Sequence, residues 1–238
     1  KFDLIHVAYY FGALLVIGAM GAASEEFGGG GIFAISLSYA AVFTVAGAVA
    51  WQRPGFRVPG GLLITMAVCK TPLAVYGLQR WLGLWGFDDP GQYRGFHRWI
   101  RSGWFSMEIA TIATGLVALW FFRFPFITAP VAFVLCYVAM DLTPVISGND
   151  GFDWALRQLV SLWFGLAMIA SAYVVDRRTE QDFAFRGYLF GLLAFWGGLS
   201  LLKSNSEVSR FAYFAINLAL IWMSVFLRRR VFIVFGAL

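Results

Sequence analysis

Charged side chains are scarce in this chain: Asp, Glu, Lys and Arg together make up 13% of its 238 residues, whereas 60% of the residues are apolar. A typical soluble domain carries about 25% charged residues. The shortage excludes a disordered chain and a coiled coil, because both are rich in charge, and it argues against a water-soluble globule. The composition therefore predicts a chain whose solvent is mostly lipid.

Cysteine and histidine are also rare, with two residues of each type. Cys69 and Cys136 both lie inside apolar runs, so we interpret them as small buried hydrophobes and not as a disulfide. His6 and His97 lie far apart, and neither has a cysteine close to it in sequence. This spacing does not fit a metal centre or a pair of haem ligands. We therefore expect neither a metal nor a cofactor.

Apolar runs of about 20 residues, the length that crosses a bilayer core as a helix, recur along the chain. Because a backbone in lipid must satisfy its own hydrogen bonds, we predict an all-α polytopic transmembrane helical bundle with about eight spans. It would form a single domain over residues 1–238. A further apolar run follows Arg230, and we expect it to be the start of a truncated ninth helix. The predicted spans are Leu4–Ala23, Gly31–Trp51, Pro59–Trp81, Trp104–Phe122, Pro125–Ile146, Trp154–Val175, Phe183–Leu202 and Phe211–Leu227.

The net charge of +5 does not indicate nucleic-acid binding in such a protein. Excess Lys and Arg in a multi-pass chain mark the loops that stay in the cytoplasm. Counted over alternate loops, the bias favours a cytoplasmic N-terminus. A re-entrant third span would invert all later loops and leave a similar bias, so that alternative stays open.

Three ionisable residues inside the predicted spans are candidates for a substrate-binding site, because burial of such groups in lipid is costly. Lys70 lies near the middle of the third span, two residues before Pro72, which is expected to kink the helix. Glu108 lies in the fourth span and Asp141 in the fifth. A lysine near a carboxylate in a water-accessible cavity is typical of transporters. Two alternatives stay open: a self-neutralising structural pair, and a Lys70 that snorkels to the membrane surface.

A second candidate site lies between the third and fourth predicted spans. Four basic residues there follow the spacing i, i+3, i+4 and i+7, so a helix would gather them on one face, opposite an aromatic face. This pattern predicts an interfacial helix that contacts lipid phosphates or an anionic ligand. A solvated loop and a partner-protein contact are the alternatives. The four residues are Arg94, His97, Arg98 and Arg101.

Motifs for enzymatic chemistry are absent from the sequence. It contains no nucleophile elbow, phosphate-binding loop, HExxH or positioned pair of catalytic carboxylates. We therefore favour a non-enzymatic function and name no catalytic residue. A lipid-modifying enzyme that holds a headgroup on the basic face between Arg94 and Arg101 is a third, weaker hypothesis.

Parts of the last quarter of the chain resemble uncharacterised bacterial multi-pass inner-membrane proteins. The resemblance implies a bacterial inner (cytoplasmic) membrane location and one or two further helices, and it brings no known activity or site residue. The segments that carry it are 182–185 (DFAF), 188–200 (YLFGLLAFWGGLS), 226–232 (FLRRRVF) and 235–238 (FGAL).

Two functional hypotheses follow. The first is transport or binding of a small polar or ionic solute at an intramembrane cavity near Lys70, Glu108 and Asp141. The alternative is a non-catalytic structural subunit or assembly factor of a larger membrane complex, which would use the 18% aromatic residues as partner- and lipid-facing surface. Expected partners are membrane lipids, with other membrane subunits or further copies of the chain as alternatives; no nucleic acid is expected.

Overall fold

The computed structural model describes residue 12 and residues 27–84, 104–147, 154–179, 182–201 and 207–237. The first predicted span lies outside these residues except for Gly12. Within them, the regular structure consists of eight α-helices and one 3-10 helix, which confirms the all-α fold class. The elements are α1 (Gly29–Gln52), α2 (Arg57–Trp81), α3 (Phe105–Phe122), the 3-10 helix (Pro125–Ile127), α4 (Thr128–Ser147), α5 (Trp154–Arg178), α6 (Ala184–Leu201), α7 (Glu207–Leu227) and α8 (Val231–Gly236).

Four of these helices, α1, α2, α3 and α5, are long and apolar enough to cross a membrane. At 1.5 Å per residue they extend roughly 27 to 38 Å, which matches a hydrocarbon core of about 30 Å. These helices support a helical membrane protein. The count of eight spans is not confirmed and stays a prediction.

Proline, glycine and left-handed residues explain where several helices end. The turn after α1 contains Pro54, which lacks an amide hydrogen, and Gly55, which adopts a φ of 87°. α3 ends at Arg123, whose φ of 42° turns the chain out of the helix. The predicted fifth span begins with the 3-10 helix instead of an α-helix, and Thr128 donates a hydrogen bond to the Pro125 carbonyl at the junction.

The helices belong to two compact units, residues 1–135 and 136–238, with the boundary inside α4. In the first unit, α2 packs against α1 and also against α3 and the 3-10 helix. In the second unit, α5 packs against α6, and α8 packs against α7 and α6. The single-domain organisation of the chain stays a prediction.

Glycines bring α5 and α6 into close contact in the second unit. A Cβ added at Gly165 would lie 2.7 Å from the Gly191 carbonyl oxygen, and one at Gly187 would lie 2.9 Å from the Ala172 Cβ. The spacing Gly187-x-x-x-Gly191 therefore forms part of a helix–helix contact within this unit, as small residues at this interval allow. Ser161 adds a 2.7 Å hydrogen bond to the Ala194 carbonyl between the same helices.

Candidate functional site

Lys70 lies in the middle of α2 and is buried. The residue is only 3% exposed. It lies 13 positions after Arg57 and 11 positions before Trp81, the two ends of the helix. These separations correspond to about 20 Å and 16 Å along the helix axis. A lysine side chain extends only about 6 Å, so it does not reach either end of the helix. The position of Lys70 therefore disfavours the snorkelling alternative.

Glycines also bring α1 and α2 close together, in antiparallel register. A Cβ added at Gly77 would collide with the Phe33 amide and would lie 3.0 Å from the Gly29 carbonyl oxygen. Towards the other end of α2, a Cβ at Gly60 would lie 2.7 Å from the Trp51 amide nitrogen. These contacts define which residues of α1 lie opposite which residues of α2.

Ser36 of α1 and Lys70 of α2 lie on the faces by which these two helices pack together. Lys70 precedes Gly77 by seven residues and Ser36 follows Gly29 by seven, which is nearly two full helical turns, so each polar residue shares the helix face of its glycine. Gly29 lies against Trp81 and Gly77 lies against Phe33, so Lys70 lies about one helical turn beyond the level of Ser36. The two residues therefore belong to one interface but to different levels of it.

Both polar groups lack an internal partner among the described residues. Ser36 is 1% exposed, and its hydroxyl oxygen has no hydrogen-bond partner there. The Lys70 nitrogen forms neither a hydrogen bond nor an ion pair with any residue that the structure describes, although this nitrogen, unlike the Ser36 hydroxyl, is not completely enclosed by protein. Unpartnered polar groups in an apolar environment are costly, so each of the two residues is a candidate for binding a polar or ionic group.

Glu108 lies on a different side of α2. It shares the buried face of α3 with Thr111, Gly115 and Ala118, and Gly115 packs against Val68 of α2. Lys70 lies about 200° around the helix from Val68, which directs it away from α3. Lys70 and Glu108 form no hydrogen bond or ion pair with each other, and a binding site shared by these two residues stays a prediction.

The remaining predicted site residues are Asp141 and four basic residues of the predicted interfacial helix. Asp141 is a half-buried residue of α4 in the second unit. The basic residues of the predicted interfacial helix, Arg94, His97, Arg98 and Arg101, lie outside the described residues.

A cluster of charged residues in the second unit was missed by the sequence analysis. Arg229, in the turn between α7 and α8, donates two hydrogen bonds to the carboxylate of Asp176, with its Nη2 2.5 Å from Oδ1 and its Nε 3.3 Å from Oδ2. A third bond joins Nη1 to Asp182, at 2.8 Å. The buried Tyr188 donates its hydroxyl proton to Asp176, at 3.3 Å. Hydrogen bonding to Asp176 raises the pKa of Arg229, so its guanidinium stays charged.

Metal coordination finds no support in the described part of the chain, where no three metal-binding side chains come together. No protein-family model, curated protein or solved structure matches this sequence. Lys70, with Ser36 on the helix that packs against it, is therefore the candidate functional site on physical grounds alone.

Proposed function

We propose that this chain is a membrane protein that binds or transports a small polar or ionic solute, with Lys70 at its site. The observation that carries the proposal is the burial of Lys70 at the centre of α2, without a hydrogen bond or ion pair to any described residue. A lysine held in that position for structural reasons alone is expected to contact a carboxylate or carbonyl oxygen.

The chemistry of the pair favours an anionic or carboxylate-bearing solute. Protonated Lys70 offers three hydrogen-bond donors, and the Ser36 hydroxyl offers one more. An anion bound to Lys70 would neutralise its charge and give its hydrogen-bond donors a partner. Glu108 and Asp141 stay candidates for substrate binding on the evidence of the sequence alone.

The membrane we propose is the bacterial inner membrane, with the N-terminus in the cytoplasm. The support is the resemblance of the last quarter of the chain to bacterial inner-membrane proteins and the bias of Lys and Arg among alternate loops. Reaction of single cysteines introduced next to Arg53 and next to Arg80 with a membrane-impermeant maleimide, in intact cells, tests the orientation. We expect labelling only at the Arg80 side.

The solute hypothesis is tested by electrophysiology of proteoliposomes on a solid-supported membrane, with concentration jumps of chloride, nitrate, formate, acetate and glycine. We expect a transient current with at least one of these probes, which is lost in Lys70→Met and reduced in Ser36→Ala. The matched control is Ser38→Ala, because the Ser38 hydroxyl is exposed and donates within its own helix to Ala34. A current that survives in folded Lys70→Met contradicts the proposal.

The competing hypothesis of a structural subunit predicts a different result. Native mass spectrometry of gently solubilised protein from its own membranes would then show stoichiometric partner proteins. Large exposed apolar side chains such as Trp120 and Trp163 do not decide between the hypotheses, because lipid and a partner subunit both cover such surface.

A further inference from the structure

Four exposed arginines surround the Arg229–Asp176 ion pair, and we name Arg177, Arg178, Arg228 and Arg230 the arginine cluster. Two of them follow Asp176 at the end of α5, and two flank Arg229 in the turn between α7 and α8. None of the four side chains forms a hydrogen bond or an ion pair with a described residue. The guanidinium of Arg177 lies 5.8 Å from the centre of the Tyr173 ring.

The turn that presents Arg228 and Arg230 is held in a defined conformation. The Ser224 hydroxyl donates to the Arg229 carbonyl, and the Arg229 amide donates to the Ser224 carbonyl, both at 3.1 Å. Arg228 adopts a φ of 54° to reverse the chain. Phe232, just beyond the turn, is fully buried and packs against the Tyr188 ring. The ion pair and the buried phenylalanine therefore preorganise the turn that carries Arg228 and Arg230.

Positive charge exceeds negative charge at this end of the unit. The described residues here include six arginines, the four of the cluster with Arg229 and Arg186, against two aspartates, an excess of four. Both aspartates, Asp176 and Asp182, already bind Arg229. Glu180 lies outside the described residues. The described aspartates therefore do not neutralise the four cluster guanidiniums.

Exposed apolar side chains adjoin the cluster on the same helices. Val174 and Val175 precede the two arginines of α5, and Val225 and Phe226 precede the turn. Ile233 and Val234 are exposed just after Arg230. An apolar surface that gives way to arginines within a turn of helix matches the boundary between acyl chains and headgroups of a bilayer. An acidic soluble protein would leave these apolar groups in water, so the surface favours lipid.

We propose that the arginine cluster is a binding site for the phosphate groups of anionic phospholipids and holds this end of the second unit at the headgroups of an anionic leaflet. Guanidinium groups bind phosphate oxygens through paired hydrogen bonds. Each basic residue next to an anionic leaflet strengthens binding by about fivefold, so four of them are expected to give a clear preference over a zwitterionic lipid. The site is independent of Lys70 and of the solute hypothesis.

The test is native mass spectrometry of the full chain, titrated with dioleoylphosphatidylglycerol or with dioleoylphosphatidylcholine, where each bound lipid gives a separate peak. We expect the first phosphatidylglycerol to bind wild type at least tenfold more tightly than phosphatidylcholine. The variant R177Q/R178Q/R228Q/R230Q, which leaves Arg229 in place, should lose most of this preference at an unchanged melting temperature. The matched control R53Q/R57Q/R80Q/R123Q removes the same charge from exposed positions of the first unit and should keep it.

Three results would overturn the proposal. The first is a folded cluster variant that still prefers phosphatidylglycerol. The second is an equal loss in the control variant, which would assign the preference to net charge and not to this site. The third is displacement of phosphatidylglycerol by 10 mM inorganic phosphate but not by chloride at the same ionic strength, since the site would then take a soluble anion.

Discussion

Replacement of Arg229 by alanine should destabilise the second unit by about 2–3 kcal/mol. Loss of one partner from a fully buried ion pair costs about 3–5 kcal/mol, whereas an exposed pair contributes at most about 1 kcal/mol. The side chains of Arg229 and Asp176 are 28% and 17% exposed, so the pair lies between these limits and closer to the buried one. Asp182 is 52% exposed, and its bond to Arg229 adds little because of solvent screening.

The measurement is reversible unfolding in mixed micelles by titration with sodium dodecyl sulfate, followed by tryptophan fluorescence. Arg229→Lys keeps the charge but loses the paired geometry, so its cost should lie between zero and that of the alanine variant. Asp182→Asn should cost less than about 1 kcal/mol. In this series of variants, the decrease in the free energy of unfolding should grow with the burial of the replaced side chain and with the number of hydrogen bonds that are lost.

A double-mutant cycle separates the ion pair from other effects. Asp176→Asn also weakens the contact with Tyr188, so it should lower the free energy of unfolding when it is introduced alone. The decrease should be much smaller when Arg229 is already alanine. A coupling energy of about 1–2 kcal/mol is expected. The idea that this pair holds the α7–α8 turn against α5 would be refuted by either of two results. One is that the decreases in the free energy of unfolding of the two single variants add up in the double variant. The other is a decrease below about 0.5 kcal/mol in Arg229→Ala.

Two further predictions concern the first unit. Gly77→Ala should lower stability by about 1–3 kcal/mol, because the added methyl collides with the backbone of α1 at Phe33; Gly28→Ala, where no atom lies within 4 Å of the added Cβ, is the control, and equal effects in the two variants would exclude a close helix contact. Lys70→Met should raise the free energy of unfolding by about 1–2 kcal/mol, because it replaces a largely buried side chain whose amine bonds to no described residue with an apolar chain of similar length. A loss of several kcal/mol in Lys70→Met would instead indicate a structural ion pair. Both are measured by the same titration.

The positions of most helices could be predicted from the sequence because their limits depend on local chemistry. The predicted span Pro59–Trp81 and the observed α2 end at the same tryptophan, and the predicted Gly31–Trp51 falls within α1. Length and hydropathy set these limits, and turn residues such as Pro54 and Gly55 interrupt them. Membrane crossing needs both length and apolar composition, and four helices of the described residues meet that criterion.

The ion pair between Arg229 and Asp176 could not be predicted, because it depends on which helix ends lie next to each other in the fold. Asp176 and Arg229 are 53 positions apart, and each lies in a run of charges that reads as a solvated helix end. Sequence spacing carries no information on that pairing. A signal was nevertheless present: an arginine run followed at once by an apolar segment favours a turn at the membrane surface, and such a turn must lie against another helix end.

For the candidate site, the position of a residue along its helix could be predicted, but the neighbour that its side chain faces could not. Depth along a helix follows from counting residues, so a central Lys70 was predictable. Direction around the helix depends on which face packs against which neighbour, and here the glycines decide it: Gly77, seven residues from Lys70, lies against α1, whereas Val68, two residues away, faces α3. A sequence of apolar residues does not distinguish these faces, and the carboxylate of Glu108 was the obvious partner by charge alone. The structure instead places Lys70 on the face of α2 that packs against α1, the helix whose facing side buries Ser36, and the glycine contacts explain why.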